Sequence, residues 1–135
     1  VIIELVEKTY NAAMSWLSFL IVSLIVPVVL LVGVPVLRWV GKDSSFRFGL
    51  LGYRTPLSRS SEDNWREGNM YAAQVWLCVG IVFAVISLAV SFLAMRVSLD
   101  DRSLLSTVLV VVQVVLAILT IVPVELHLRH FDSRQ

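Results

Sequence analysis

Charge is scarce in this chain, and three long stretches have none. Only 16% of its 135 residues are Asp, Glu, Lys or Arg, against about a quarter in a soluble domain. None of the four occurs between Lys8 and Arg38, over 68–95, or over 103–124. Each run exceeds the roughly 20 residues that cross a bilayer as helix. Hydrocarbon offers the backbone no water, so each run must satisfy its own hydrogen bonds. Three transmembrane helices are predicted, at about 16–39, 71–95 and 104–124.

Other absences narrow the function. Cys78 is the only cysteine, so no disulfide can form within the chain, and it reads as a small apolar packing residue. No Asp, Glu, Lys, Arg or His lies deep in a span, which argues against a proton- or ion-coupled carrier. Nor is there an inverted repeat, a glycine-rich phosphate loop, or a spacing of Ser, His and Asp that suggests a nucleophile and its base. Net charge is +1 with no basic stripe outside one loop, which speaks against direct nucleic-acid binding. Glu125, His127, His130 and Asp132 form the only compact set of metal-ligand types. They sit just past the third span, where a polar helix end is expected anyway, so neither a metal nor another cofactor is implied. The chain is expected not to be an enzyme.

What is present divides one membrane domain into an N-terminal segment (1–14), a first span (15–40), a loop and helix start (41–70), two further spans (71–95 and 104–124) and a tail (125–135). The first run is too long for the apolar core of a signal peptide and ends without a small-residue cleavage site. Val1 is not Met, and 1–14 reads as the visible end of a longer segment. Arg38, Lys42, Arg47, Arg54, Arg59, Arg66, Arg129 and Arg134 fall on one side, against Lys8, Arg96 and Arg102 on the other. Eight against three places the 40–69 loop and the C-terminus in the cytoplasm and the N-terminus outside. Trp16, Trp39, Tyr71 and Trp76 lie near span ends, as interfacial aromatics do.

The spans differ in kind. The first carries Pro27 and Pro35, which should kink it. The second has Gly80, Ala84, Ser87, Ser91 and Ala94 on one face. The third aligns Ser106, Gln113, Ala117 and Thr120. Small faces let helices approach closely, and Gln113 near mid-membrane needs a hydrogen-bond partner. The second and third helices are expected to form a hairpin across 96–103 with these faces meeting. The competing reading gives one face to another chain.

The loop holds GYRTPLSRSSEDNWREGN, residues 52–69. Thr55 precedes Pro56, which favours extended backbone. Ser61 followed by Glu62 and Asp63 reads as a helix start, with a capping hydroxyl and acids in the first turn. No proline follows until the helix has crossed, so it should run unbroken to about Met95, roughly 52 Å at 1.5 Å per residue. Two or three turns should then project on the loop side, carrying Trp65, Arg66 and Asn69. Glu62 and Arg66 are spaced to pair. Trp65, Asn69, Ala72 and Trp76 share a stripe.

Gly52-Tyr53-Arg54-Thr55-Pro56, followed by Ser58, Ser61, Glu62 and Trp65 and then a membrane hairpin, resembles the signature of the SdpI family of bacterial membrane proteins. The resemblance covers about 46–124. It departs after Trp65, where many members have a basic or His-containing segment leading to Gly-Gly or Gly-Lys, and this chain has Arg66-Glu67-Gly68-Asn69. The longer members also carry additional N-terminal spans.

The resemblance implies toxin immunity: protection against a membrane-active killing peptide, with sensing that recruits a cytoplasmic repressor. It implies that Arg54, Thr55, Pro56 and Trp65 form the core of the family's loop motif, with Tyr53, Ser58 and Glu62 in support. Besides the bilayer, the partners expected are a toxin peptide or a membrane protein. On residue chemistry alone the same motif can simply anchor the loop, with Arg54 on a lipid phosphate or a helix C-terminus and Trp65 among headgroups. The alternative function is a non-catalytic accessory subunit of a larger bacterial membrane complex.

Overall fold

The computed structural model describes residues 1–135, apart from the side chains of Met14, Leu99 and Asp100. Four helices follow in order: α1 (Ile2–Gly41), α2 (Glu62–Ala94), α3 (Leu99–Leu119) and α4 (Ile121–Ser133), with a short 3-10 helix, Ser44–Phe48, after α1. Three helical stretches, Ile2–Gly41, Glu62–Ala94 and Asp101–Ser133, are long and apolar enough to cross a membrane. This is an all-helical, three-span, multi-pass membrane protein. The spans turn Val28, Val32, Val85, Phe92, Val111 and Leu116 outward, as lipid-facing surfaces should.

The ends of α2 follow local chemistry. Ser61 caps it, its hydroxyl accepting from the Asn64 N–H at 3.1 Å. Glu62 and Asp63 fill the first turn. The helix has 33 residues, or about 50 Å, longer than a hydrocarbon core of about 30 Å. The other ends were less legible. α1 begins at Ile2, because 2–14 holds no glycine or proline and the helix propagates outward. The third span is interrupted at Thr120, and 125–135 is mostly helix rather than tail. Pro123 lies just past that break and cannot continue the α3 ladder cleanly.

The small-residue face of α2, expected to meet α3, is filled mainly by α1. A methyl group on Gly80 would lie 2.9 Å from Leu31 Cδ2. α1 stays helical through Pro27 and Pro35, and the reason at Pro27 is visible. Its missing N–H leaves the Ser23 carbonyl, four residues back, without its usual donor. Ser87 of α2 supplies one, its hydroxyl donating to Ser23 O at 2.7 Å. Gln113 of α3 finds its expected partner on the same hydroxyl, Nε2 donating to Ser87 Oγ at 2.8 Å. Ser91 donates to Ser87 O, its hydroxyl lies 3.3 Å from that of Ser23, and Trp16 Nε1 donates to Ser91 O. This buried polar ladder ties all three spans together.

Ser87→Ala should destabilise the fold by about 1–2 kcal/mol, leaving the Ser23 carbonyl and Gln113 unsatisfied. In a Pro27→Ala background, where the backbone regains its own donor, the loss should shrink. Reversible unfolding in mixed micelles across the four-variant cycle measures the coupling. Equal losses in both backgrounds would show that the proline and the serine are unconnected.

Candidate functional site

The loop is a folded platform joined to the loop-side ends of all three spans. Its chemistry starts at the end of α1, whose last carbonyls lack partners within the helix. Trp65, fully buried on α2, donates its indole N–H to Val40 O at 2.8 Å. One turn on, buried Asn69 donates to Trp65 O at 2.9 Å and accepts the Tyr53 N–H at 2.8 Å. Gly52 brings the chain into that contact with φ +101°, in the region glycine favours. A side chain there would also meet Asn69 Oδ1 at 2.7 Å.

Arg54 closes the 3-10 helix. Its Nη1 and Nη2 donate to Phe46 O and Arg47 O, each at 2.9 Å. The guanidinium also lies over the Trp65 ring, 5.7 Å from its centroid, within cation–π range. Of the two anchors considered for Arg54, the geometry is that of a helix C-terminus. Thr55 and Ser58 bond reciprocally, the Thr55 N–H to Ser58 Oγ at 2.9 Å and the Ser58 N–H to Thr55 Oγ1 at 3.2 Å. Pro56 is exposed between them, at a turn position that suits its fixed φ.

α4 is the platform's other wall. Tyr53 OH donates to Glu125 Oε2 at 2.7 Å. Glu67 of α2 meets His127 Nε2 at 2.7 Å, and His127 stacks on Tyr71 with ring centroids 3.8 Å apart. Asn64 Nδ2 donates to Asp132 Oδ1 at 2.9 Å, and Leu128 packs over Gly68. Burial, and then the bond to Glu125, push the Tyr53 hydroxyl well above the usual tyrosine range.

Tyr53, Arg54, Thr55, Ser58 and Trp65 thus come together, while Glu62 lies exposed in the first turn of α2. Among the described residues no ion pair joins Glu62 to Arg66. Glu125, His127 and Asp132 go to three separate partners, and among the described residues no metal-type cluster assembles. Ala117 and Thr120 face an apolar hollow of about 370 Å³ beside Trp76 and Tyr53. Asn64, Asn69, Glu67 and the α4 residues were missed as platform members. Only Asn69 carried a signal, as the polar member of the stripe through Trp65.

A family model described as the SdpI/YfhL protein family matches residues 47–124, more than half of the chain. The chain belongs to the SdpI/YfhL family. Comparison with curated proteins and with solved structures gives no match. The SdpI-matching segment holds most of the platform together with α2 and α3. It stops short of both α1 and most of α4, on which the platform's outer bonds land.

Trp65→Phe keeps most of the buried ring but leaves the Val40 carbonyl with only the long 3.4 Å bond from the Asp43 N–H, and should lower stability by about 1 kcal/mol. Trp65→Ala should cost about 3–5 kcal/mol. Thermal unfolding of the purified protein orders the two.

Tyr53 gives a pH signature. Its raised folded pKa means the folded state holds the proton more tightly, so this stabilisation is complete below the unfolded tyrosine value of about 10 and is lost as pH rises above it. Stability should therefore fall more steeply above that pH in the wild type than in Tyr53→Phe, as read by melting temperature against pH.

Proposed function

We propose that this protein confers immunity to, or senses, a membrane-active toxin peptide in a bacterial cell membrane. Its platform faces the cytoplasm and is the surface that a partner reads. The basic residues support this orientation, eight on the platform side against three on the other.

One observation carries the reading. The family-matching motif does more than keep a loop wet: it bonds the end of α1, the start of α2 and α4 into one surface. A peptide that displaces any span in the bilayer therefore displaces that surface. Tyr53, Arg54, Thr55, Ser58 and Trp65 bond within the platform and set its shape. Recognition falls to what they hold outward, including Pro56, Arg59, Glu62, Asp63 and Arg66, all exposed.

The test is expression in a sensitive bacterium challenged with membrane-permeabilising peptides. Wild type should raise survival, and Arg54→Ala should abolish the effect while still reaching the membrane. The charge reversals Arg59→Glu and Arg66→Glu should leave the melting temperature unchanged yet lose a cytoplasmic protein that co-purifies with wild type. Absence of protection, with a membrane complex retained at fixed stoichiometry by every variant, would make the chain an accessory subunit instead.

A further inference from the structure

The end of the molecule opposite the platform holds a buried charge that the proposed function does not use. Arg102, in the first turns of α3, is 7% exposed. Its Nε donates to Ala94 O at 2.9 Å and Nη2 to Val97 O at 3.3 Å. These bonds tie it to the end of α2 and the turn after it. The Nη1 edge is served less well, with only Ala12 O and Ser15 Oγ, both at 3.4 Å. All four acceptors are neutral. Among the described residues no carboxylate lies within salt-bridge distance of Arg102. A guanidinium taken out of water without an anion is costly, so capping carbonyls leaves its charge unexplained.

The same side chain borders a hollow of about 200 Å³ between α1 and α3. Ser15, Ser18, Ser103 and Ser106 line it, with Phe19 and Val22 beside them. Among the described hydrogen bonds, Ser15 only accepts, and the Ser18 and Ser103 hydroxyls make none. Three hydroxyl protons, two of them on the exposed residues Ser18 and Ser103, are thus free to meet an external acceptor. Arg102 stands at the edge of the charge-free run 103–124, which sets the hollow at headgroup depth. The apolar residues continue it along α1 toward the membrane interior.

We propose that this hollow binds the phosphate of a phospholipid headgroup, with Arg102 and the serine hydroxyls as donors and the start of an acyl chain lying against Phe19 and Val22. Guanidinium and phosphate are matched in charge and in bidentate geometry. Phosphate oxygens accept hydroxyl protons, which the cationic headgroup of a zwitterionic lipid cannot do. The site does not depend on the toxin reading.

Delipidated full-length protein in neutral detergent is titrated with short-chain phosphatidylglycerol or with inorganic phosphate alone, and bound adducts are counted by native mass spectrometry. Wild type should take one phosphatidylglycerol about tenfold more tightly than Arg102→Gln, the scale of one charge-assisted hydrogen bond. Ser18→Leu fills the hollow without removing a bond of the fold, and should lose the lipid equally with an unchanged melting temperature. It decides the question even if Arg102→Gln fails to fold. Equal lipid affinity in wild type and Ser18→Leu overturns the site. Inorganic phosphate binding as tightly as the lipid overturns the acyl-chain half and leaves an anion site only.

Discussion

The carbonyl of Ser23 is the constraint on which the rest of the structure depends. Pro27 deprives it of the helix's own donor, and in hydrocarbon no water can replace that donor. Ser87 of α2 does so, which fixes α1 against α2 in both rotation and height. With that register set, Leu30 and Leu31 fall on Gly80, and Trp76 falls on Gly33. Farther along, Gly41 falls on Asn69. Lipid contributes no hydrophobic drive to this docking, so close packing and one well-placed hydroxyl must supply it.

The platform follows from that register. Trp65 reaches Val40 O only because the last turn of α1 lies beside the first turns of α2. Asn69 then faces the loop, and the Tyr53 N–H closes onto it. The Tyr53 ring is left with its hydroxyl at Glu125 of α4. The sequence of contacts runs from mid-membrane to the loop without a break. The loop's shape is thus tied to how the spans sit.

Much of the architecture was legible in the residues. The three charge-free runs gave the spans, and Ser61-Glu62-Asp63 gave the start of α2 together with its cap. Helix partners were not legible. Gly80, Ser87 and Ser91 say that some helix comes close, but not which one. The information lies in the pairing of Pro27 with Ser87, and neither residue announces it alone. Gln113 pointed correctly at a hydrogen bond on α2, which made the α2–α3 face seem complete when α1 was the larger occupant. The helicity of 2–14 and 125–135 was hidden because length and apolarity were the signals sought there, and both segments are too polar to register. In the loop, Arg54 and Trp65 stood out, Asn69 showed only as the polar member of the stripe through Trp65, and Asn64 did not show. A buried asparagine is recognisable only once its partners are in place.

The extent of the family match carries one more consequence. It runs over 47–124 and so excludes α1, yet Val40 of α1 accepts the indole proton of the motif's Trp65, and Gly41 is the surface against which Asn69 packs. A chain with the matching segment alone would keep Gly52 and Arg54 against the Trp65 ring but lose the Val40 carbonyl that accepts its N–H. In this chain the motif therefore relies on a preceding helix that ends at this height. What such a helix must supply is an exposed terminal carbonyl and a small residue beside it, and the backbone of any helix end meets the first requirement.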